Sequence, residues 1–172
     1  MWRKIVIACT VLICFVMQST CMQWISLGNI TPNLLIIITA AYGFMRGKKS
    51  GLLVGFFCGL LTDIFFGDVI GFYSLIYMYI GYANGFFHRI FFPEDIKLPL
   101  FLIFVSDLLY GLTVYTLMFL LRGRFELIYY ITHIILPEMI YTIVLTFLVY
   151  PINLKINRKF DEIEKRSEKK FV

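Results

Sequence analysis

The 172 residues of the chain are 60% hydrophobic and 18% aromatic, and their mean hydropathy is +0.82. This composition is too apolar for one soluble core and indicates an integral membrane protein. Most of the net charge of +5 lies in short segments that flank apolar runs, which is typical of membrane insertion and argues against nucleic-acid binding.

The first apolar run predicts a transmembrane helix that is retained in the mature protein. Trp2-Arg3-Lys4 precedes it, as in a signal peptide, but Gln18-Ser19-Thr20-Cys21 provides neither an A-x-A cleavage site nor a good lipoprotein box. We therefore expect helix 1 over about Ile5 to Met22. The four cysteines lie in apolar segments without a C-x-x-C pair, which favours buried apolar roles over metal binding.

Helix 2 is predicted at Pro32 to Met45, with Thr31 as its N-cap and Pro32 at its first position. Fourteen residues span only about 21 Å, so a re-entrant segment is the alternative to a crossing. The cations at Arg46, Lys48 and Lys49 follow at once and favour a crossing, because they belong on the cytoplasmic side. The remaining helices are predicted at Ser50–Phe66, Ile70–Phe92, Leu98–Leu121 and Leu127–Tyr150.

These segments predict an all-α polytopic membrane protein with six transmembrane helices. If both termini are cytoplasmic, only Arg122 and Arg124 of the 16 Lys and Arg residues lie outside, which leaves fourteen inside. We expect one transmembrane domain over residues 1–154 and a charged cytoplasmic tail over residues 155–172. In the tail region, Ile152, Ile156, Phe160 and Ile163 recur at helical spacing, which predicts an amphipathic helix on the membrane surface or on a partner.

Small residues recur at helical spacing in two of the predicted spans. Gly51, Gly55 and Gly59 are followed at the same interval by Asp63, and on an α-helix these four positions form one slowly winding stripe. Gly81 and Gly85 repeat the pattern in helix 4. We predict that both stripes are helix-packing or partner interfaces.

Three acids lie within the predicted spans: Asp63, Asp107, and Glu138 directly after Pro137. Such residues usually face the bundle interior, and they mark either transport paths or polar contacts between helices. We favour neutral or hydrogen-bonded struts over a proton or ion relay, since no intramembrane Lys or Arg pairs with them and no Asp/Glu/His ladder links them. On that hypothesis Asp63→Asn and Glu138→Gln preserve function, whereas alanine at either site does not.

The sequence has no motif for bond-making chemistry. It lacks G-x-S-x-G, H-E-x-x-H, P-loop and dinucleotide-binding patterns, so we expect neither an enzyme nor a bound cofactor. His133 lies five residues before Glu138, about 140° around an α-helix, so the two do not form a metal pair. His133 and His88 are interpreted as interfacial polar residues.

An ordered set of motifs resembles the bacterial rod shape-determining MreD family. The motifs are Pro32-Asn33-Leu34-Leu35, Arg46-Gly47, Gly51-x3-Gly55-x3-Gly59-Leu60-x2-Asp63, Gly67, Gly71, Gly81-Tyr82-x2-Gly85, Leu136-Pro137-Glu138-x2-Tyr141 and Tyr150-Pro151. The resemblance covers roughly residues 1 to 155, including the size and the six-span layout.

The resemblance implies a non-enzymatic part of the cell-elongation machinery in the cytoplasmic membrane. Its implied partners are MreC, the RodA glycosyltransferase with its penicillin-binding transpeptidase, and, directly or indirectly, the MreB filament. It also implies a fold similar to the substrate-binding subunits of energy-coupling-factor vitamin transporters, so such a transporter subunit is the alternative function. Those subunits dock through an alanine patch on helix 1, whereas Ala8-Cys9-Thr10-Val11-Leu12 has no second alanine.

The charge distribution predicts that Gly67 lies outside the cytoplasm and that Val172 lies inside it. A cysteine placed at Gly67 should react with a membrane-impermeant thiol reagent added to intact cells that expose the periplasm. A reporter fused after Val172 should be active only in the cytoplasm. Periplasmic activity of that fusion would contradict the six-span topology.

Overall fold

The computed structural model describes residues 2–21, 30–67, 69–90, 96–118 and 127–168. Within these ranges the chain is 93% helical and contains no strand, which confirms the all-helical prediction. The helices are α1 at Trp2–Val16, α2 at Leu34–Arg46, α3 at Lys48–Phe66, α4 at Phe72–Asn84, α5 at Lys97–Met118 and α6 at Leu136–Glu168. A π turn at Met17–Cys21 extends α1, a 3-10 turn at Gly85–Ile90 extends α4, and a helical turn at Leu127–Tyr130 with a π turn at Ile131–Ile135 leads into α6.

Three helical stretches are long and apolar enough to cross a membrane: Lys48–Phe66, Lys97–Met118 and Ile128–Ile163. Lys4–Thr20 and Leu34–Arg46 are shorter apolar helices. All six predicted helices are therefore present. That each of them crosses the bilayer stays a prediction.

The short helix α2 forms the centre of the bundle. Residues Leu34 to Met45 are all buried, and α2 packs against every other helix. It begins two residues later than we predicted, because Asn33 and not Thr31 is the N-cap. The Asn33 side-chain oxygen accepts a hydrogen bond of 3.1 Å from the Ile36 N–H, which satisfies a donor that the helix itself leaves open.

A single glycine joins α2 to α3. Gly47 has φ +86°, a left-handed conformation that glycine adopts without the steric cost of a Cβ, and its N–H donates to the Gly43 carbonyl at 2.8 Å. The neighbouring Phe44 carbonyl accepts from His88 Nδ1 at 3.0 Å. His88 therefore caps the C-terminus of α2, a more specific role than the interfacial one we assigned.

The last helix does not end at Tyr150, and that predicted boundary is wrong. Pro151 lies inside α6, which continues to Glu168. A proline removes one N–H and strains one turn, but it does not end this helix. Beyond the proline, Asp161 forms an ion pair of 3.1 Å with Arg46 at the end of α2.

The tail helix presents two different faces. Asn153 and Asn157 are buried, whereas Ile152 and Ile163 are 58% and 60% exposed. The predicted apolar stripe thus leaves its two end residues on the surface, and the polar asparagines lie on the packed side. The helix runs without a break through the expected domain boundary at residues 154 and 155.

Candidate functional site

The glycines of α3 lie where the backbones of α3 and α4 touch. A Cβ built on Gly55 would lie 2.7 Å from the Tyr77 carbonyl carbon, and one built on Gly59 would lie 2.6 Å from the Ser74 nitrogen. Real Cβ atoms do not approach other atoms so closely. A side chain of any size at these positions would therefore push the two helices apart.

The glycines of the neighbouring helix complete this contact. A Cβ on Gly81 would lie 2.6 Å from the Gly51 carbonyl carbon, and one on Gly85 would lie 2.8 Å from the Gly47 carbonyl carbon. We call the five glycines at positions 51, 55, 59, 81 and 85 the glycine seam. In the structure the seam packs helices within the chain, and its face is not open to a separate partner.

Asp63 closes one end of the same helix pair. Its Oδ1 accepts from the Tyr73 N–H at 2.8 Å, and its Oδ2 accepts from the N–H groups of Gly71 and Ser74 at 3.0 Å each. The Ser74 hydroxyl also bonds to Oδ2. Because α4 begins at Phe72, a carboxyl group on α3 caps the N-terminus of α4.

This geometry specifies the structural role of Asp63. We expected a neutral or hydrogen-bonded group, and the structure shows a hydrogen-bonded one, whose two oxygens accept from three backbone N–H groups at the start of α4. A negative charge there also interacts favourably with the helix dipole. Gly71 was a sequence signal for this cap, because it precedes α4 and has no side chain that could cap the helix. Its φ is +103° in the structure.

The other two acids lie on α5 and α6, where Asp107 is buried and Glu138 is half-buried. Asp107 on α5 is 3% exposed, and neither of its carboxyl oxygens has a hydrogen-bond partner among the described residues. It interacts electrostatically with Glu138 in the first turn of α6. Pro137, directly before Glu138, has no N–H to donate. The π turn ends just before this proline, where the Leu136 N–H donates a hydrogen bond to the Ile131 carbonyl.

Sequence reasoning missed a polar chain that lies beside this pair and links three helices. The Asn33 side-chain oxygen accepts from the Tyr77 hydroxyl at 2.8 Å, and the Asn33 N–H donates to the Thr142 hydroxyl at 3.2 Å. Thr142 in turn donates to the Glu138 carbonyl at 2.9 Å. No local pattern marks these residues, because they are far apart in the chain.

The described residues contain no group of three or more His, Cys, Asp or Glu that could hold a metal ion. His133 is exposed and stacks on Tyr129 with ring centroids 4.3 Å apart. Its Nδ1 lies 3.2 Å from the Tyr129 carbonyl, so its interactions are local.

A family model described as rod shape-determining protein MreD matches residues 2–160. The chain belongs to the MreD family. The match includes the glycine seam, Asp63, both interior acids and most of α6, so membership in a family of shape-determining membrane proteins applies to nearly the whole chain. No match was found among curated proteins or among solved structures, and the expected similarity to energy-coupling-factor transporter subunits is therefore not supported.

The glycine seam of this MreD-family chain predicts a severe effect of Gly55→Leu. The new side chain would overlap the Tyr77 backbone, so we expect it to destabilise the fold by about 3 kcal/mol. The monodisperse fraction after detergent extraction and size-exclusion chromatography measures this. Phe57→Leu is the matched control, because Phe57 lies on the same helix and is 55% exposed. Equal monodisperse fractions for the two variants would contradict the packing role.

The Asp63 cap predicts that Asp63→Asn is harmful, contrary to our expectation from the sequence. One end of the amide would turn an N–H group toward a backbone N–H, so we expect a loss of about 1 to 2 kcal/mol. The unfolding temperature in one fixed detergent measures it, with Glu162→Gln as an exposed acidic control. An unfolding temperature for Asp63→Asn equal to that of the wild type would refute the capping role.

Proposed function

We propose that this protein is a non-enzymatic scaffold of the bacterial cell-elongation machinery. In this proposal it binds MreC and, through MreC or directly, the peptidoglycan synthase formed by RodA and its penicillin-binding transpeptidase. MreB is linked to the same assembly, directly or indirectly. The observation that carries the proposal is the family match over residues 2–160.

The close packing of the bundle interior supports a scaffold role. The glycine seam and the buried α2 leave the centre of the bundle closely packed, and a closely packed domain presents its outer surface in a constant geometry. Partner helices would then contact outward faces such as that of α3, where Leu53 and Phe57 are both more than half exposed.

We also propose a location in the cytoplasmic membrane, with six crossings and both termini in the cytoplasm. Three stretches with the length and composition of membrane spans support the location, and the excess of Lys and Arg on one side supports the orientation. With this orientation, the ion pair between Arg46 and Asp161 lies at the cytoplasmic end of the bundle.

The proposal predicts which proteins crosslink to this chain in native membranes. A pull-down after crosslinking should recover MreC and RodA, and the same protein should restore rod shape in a depletion strain. The Gly55→Leu variant is the negative control in both assays. Recovery of an ATPase module without MreC would instead favour the transporter subunit.

A further inference from the structure

The extension of α6 beyond Pro151 carries cations and isoleucines together on its exposed side. Lys155 and Lys159 are exposed and lie one turn apart. Ile152 lies one turn before them and Ile163 one turn after them, and these two side chains are 58% and 60% exposed. We call Ile152, Lys155, Lys159 and Ile163 the outer face of the tail helix.

The outer face points away from the rest of the protein. Asn153 and Asn157 are buried, and each precedes a lysine of the outer face by two residues. Two residues correspond to about 200° around an α-helix, so the asparagines and the lysines lie on opposite sides. The tail helix thus packs two amides inward and leaves two isoleucines on its free side, which is the reverse of the arrangement expected in water.

An ion pair fixes the depth of the outer face in the membrane. Asp161 pairs with Arg46 at 3.1 Å. Arg46, Lys48 and Lys49 mark the cytoplasmic side in the proposed topology. Ile152 precedes Asp161 by nine residues, which is about 13 Å along the helix toward the bilayer. The outer face therefore crosses the level of the lipid headgroups, with Ile152 at its acyl end.

The described residues do not neutralise the charge of the outer face. Neither Lys155 nor Lys159 forms an ion pair with a described residue, and like charges one turn apart repel each other. The exposed acid Glu162 follows on the same side, so two lysines against one glutamate leave a net positive charge. From Lys155 onward the sequence has seven Lys or Arg and four Asp or Glu, so the surplus continues along the tail. Basic clusters beside a membrane span attract anionic headgroups, and amphipathic helices bury apolar side chains at the acyl boundary.

We propose that the outer face binds the headgroups of anionic phospholipids in the cytoplasmic leaflet. The ammonium groups of Lys155 and Lys159 contact lipid phosphates, and Ile152 contacts the acyl chains. An acidic protein segment would match the charge equally well, but the depth of Ile152 favours lipid. The inference rests on the proposed membrane location and orientation, and it is independent of MreC and of the peptidoglycan synthase.

Quenching of a single tryptophan by brominated lipids tests this site in the purified full-length protein. Trp2→Phe and Trp24→Phe remove the two native tryptophans, and Ile152→Trp places a reporter on the outer face. The protein is reconstituted in vesicles of equal amounts of phosphatidylglycerol and phosphatidylcholine. One sample contains dibrominated phosphatidylglycerol and the other contains dibrominated phosphatidylcholine, so the ratio of quenching gives the relative occupancy of the two lipids beside the reporter.

We expect phosphatidylglycerol to be preferred beside position 152 by about fivefold, because each lysine near an anionic surface adds favourable electrostatic energy. The double variant Lys155→Gln with Lys159→Gln should reduce this ratio to about one. Lys48→Gln with Lys49→Gln is the matched control and should keep the preference, because it removes two exposed cations from another helix. A higher salt concentration should weaken the preference of the reporter protein with both tail lysines intact.

Four results would overturn the site, whatever the fate of the scaffold proposal. The first is a reporter that neither brominated lipid quenches, because the outer face would then lie away from the bilayer. The second is equal quenching by the two lipids. The third is a preference that the double variant of the tail lysines retains in full. The fourth is a protein adduct without a lipid adduct, formed by a photocrosslinking amino acid at position 155 in native membranes.

Two further measurements keep these outcomes distinct. If the double variant of the tail lysines does not fold, each single lysine variant and the salt series decide whether the lysines carry the preference. A protein that does not reconstitute into vesicles would contradict the membrane location, on which the site depends.

Discussion

A short helix enclosed by protein on every side is the constraint on which the rest of the structure depends. The 13 residues of α2 span about 20 Å, less than the thickness of a bilayer core. Such a helix avoids exposing its end groups to lipid only if other parts of the chain satisfy them. Gln18 and Asn33 accept from N–H groups of its first turn, and His88 donates to a carbonyl of its last turn.

Enclosure of α2 requires its neighbours to come unusually close. Gly43 of α2, Gly51 of α3 and Gly81 of α4 meet at one point, where a Cβ on Gly51 would lie 2.7 Å from the Gly43 Cα. Helix association in lipid lacks the hydrophobic driving force of water and relies on such close contacts. Three helices are thus held at one shared contact, and the Asp63 cap fixes the far end of two of them.

Part of this arrangement could be predicted from the sequence, because it depends on the local spacing of apolar residues and glycines. Six apolar segments and two glycine repeats are visible without knowledge of any neighbour, and all six helices are present. The N-cap of α2 was misplaced because Thr31 and Asn33 are both good caps, and the choice depends on which side chain reaches the Ile36 N–H. The end of α6 was misplaced because a proline usually stops a helix, whereas α6 continues through Pro151.

The candidate site was less predictable than the fold, because its contacts are set by how helices rotate against each other. Asp63, Asp107 and Glu138 looked alike as three acids in apolar runs. The structure separates them: Asp63 accepts hydrogen bonds from the start of α4, whereas Asp107 on α5 interacts with Thr142 and Glu138 of α6. That pairing depends on the contact of Gly111 with Ile135, which no single segment reveals.

The continuity of α6 through Pro151 has a mechanical consequence. The 33 residues from Leu136 to Glu168 form a helix about 50 Å long, which runs from Glu138 to the ion pair between Asp161 and Arg46. Ten residues separate Pro151 from Asp161, so a bend of about 10° at the proline would swing the Asp161 backbone by about 2.5 Å. Arg46, anchored at the end of the enclosed α2, opposes that swing through its 3.1 Å ion pair. Pro151 is therefore the position at which α6 bends most easily, and the ion pair between Asp161 and Arg46 resists that bending.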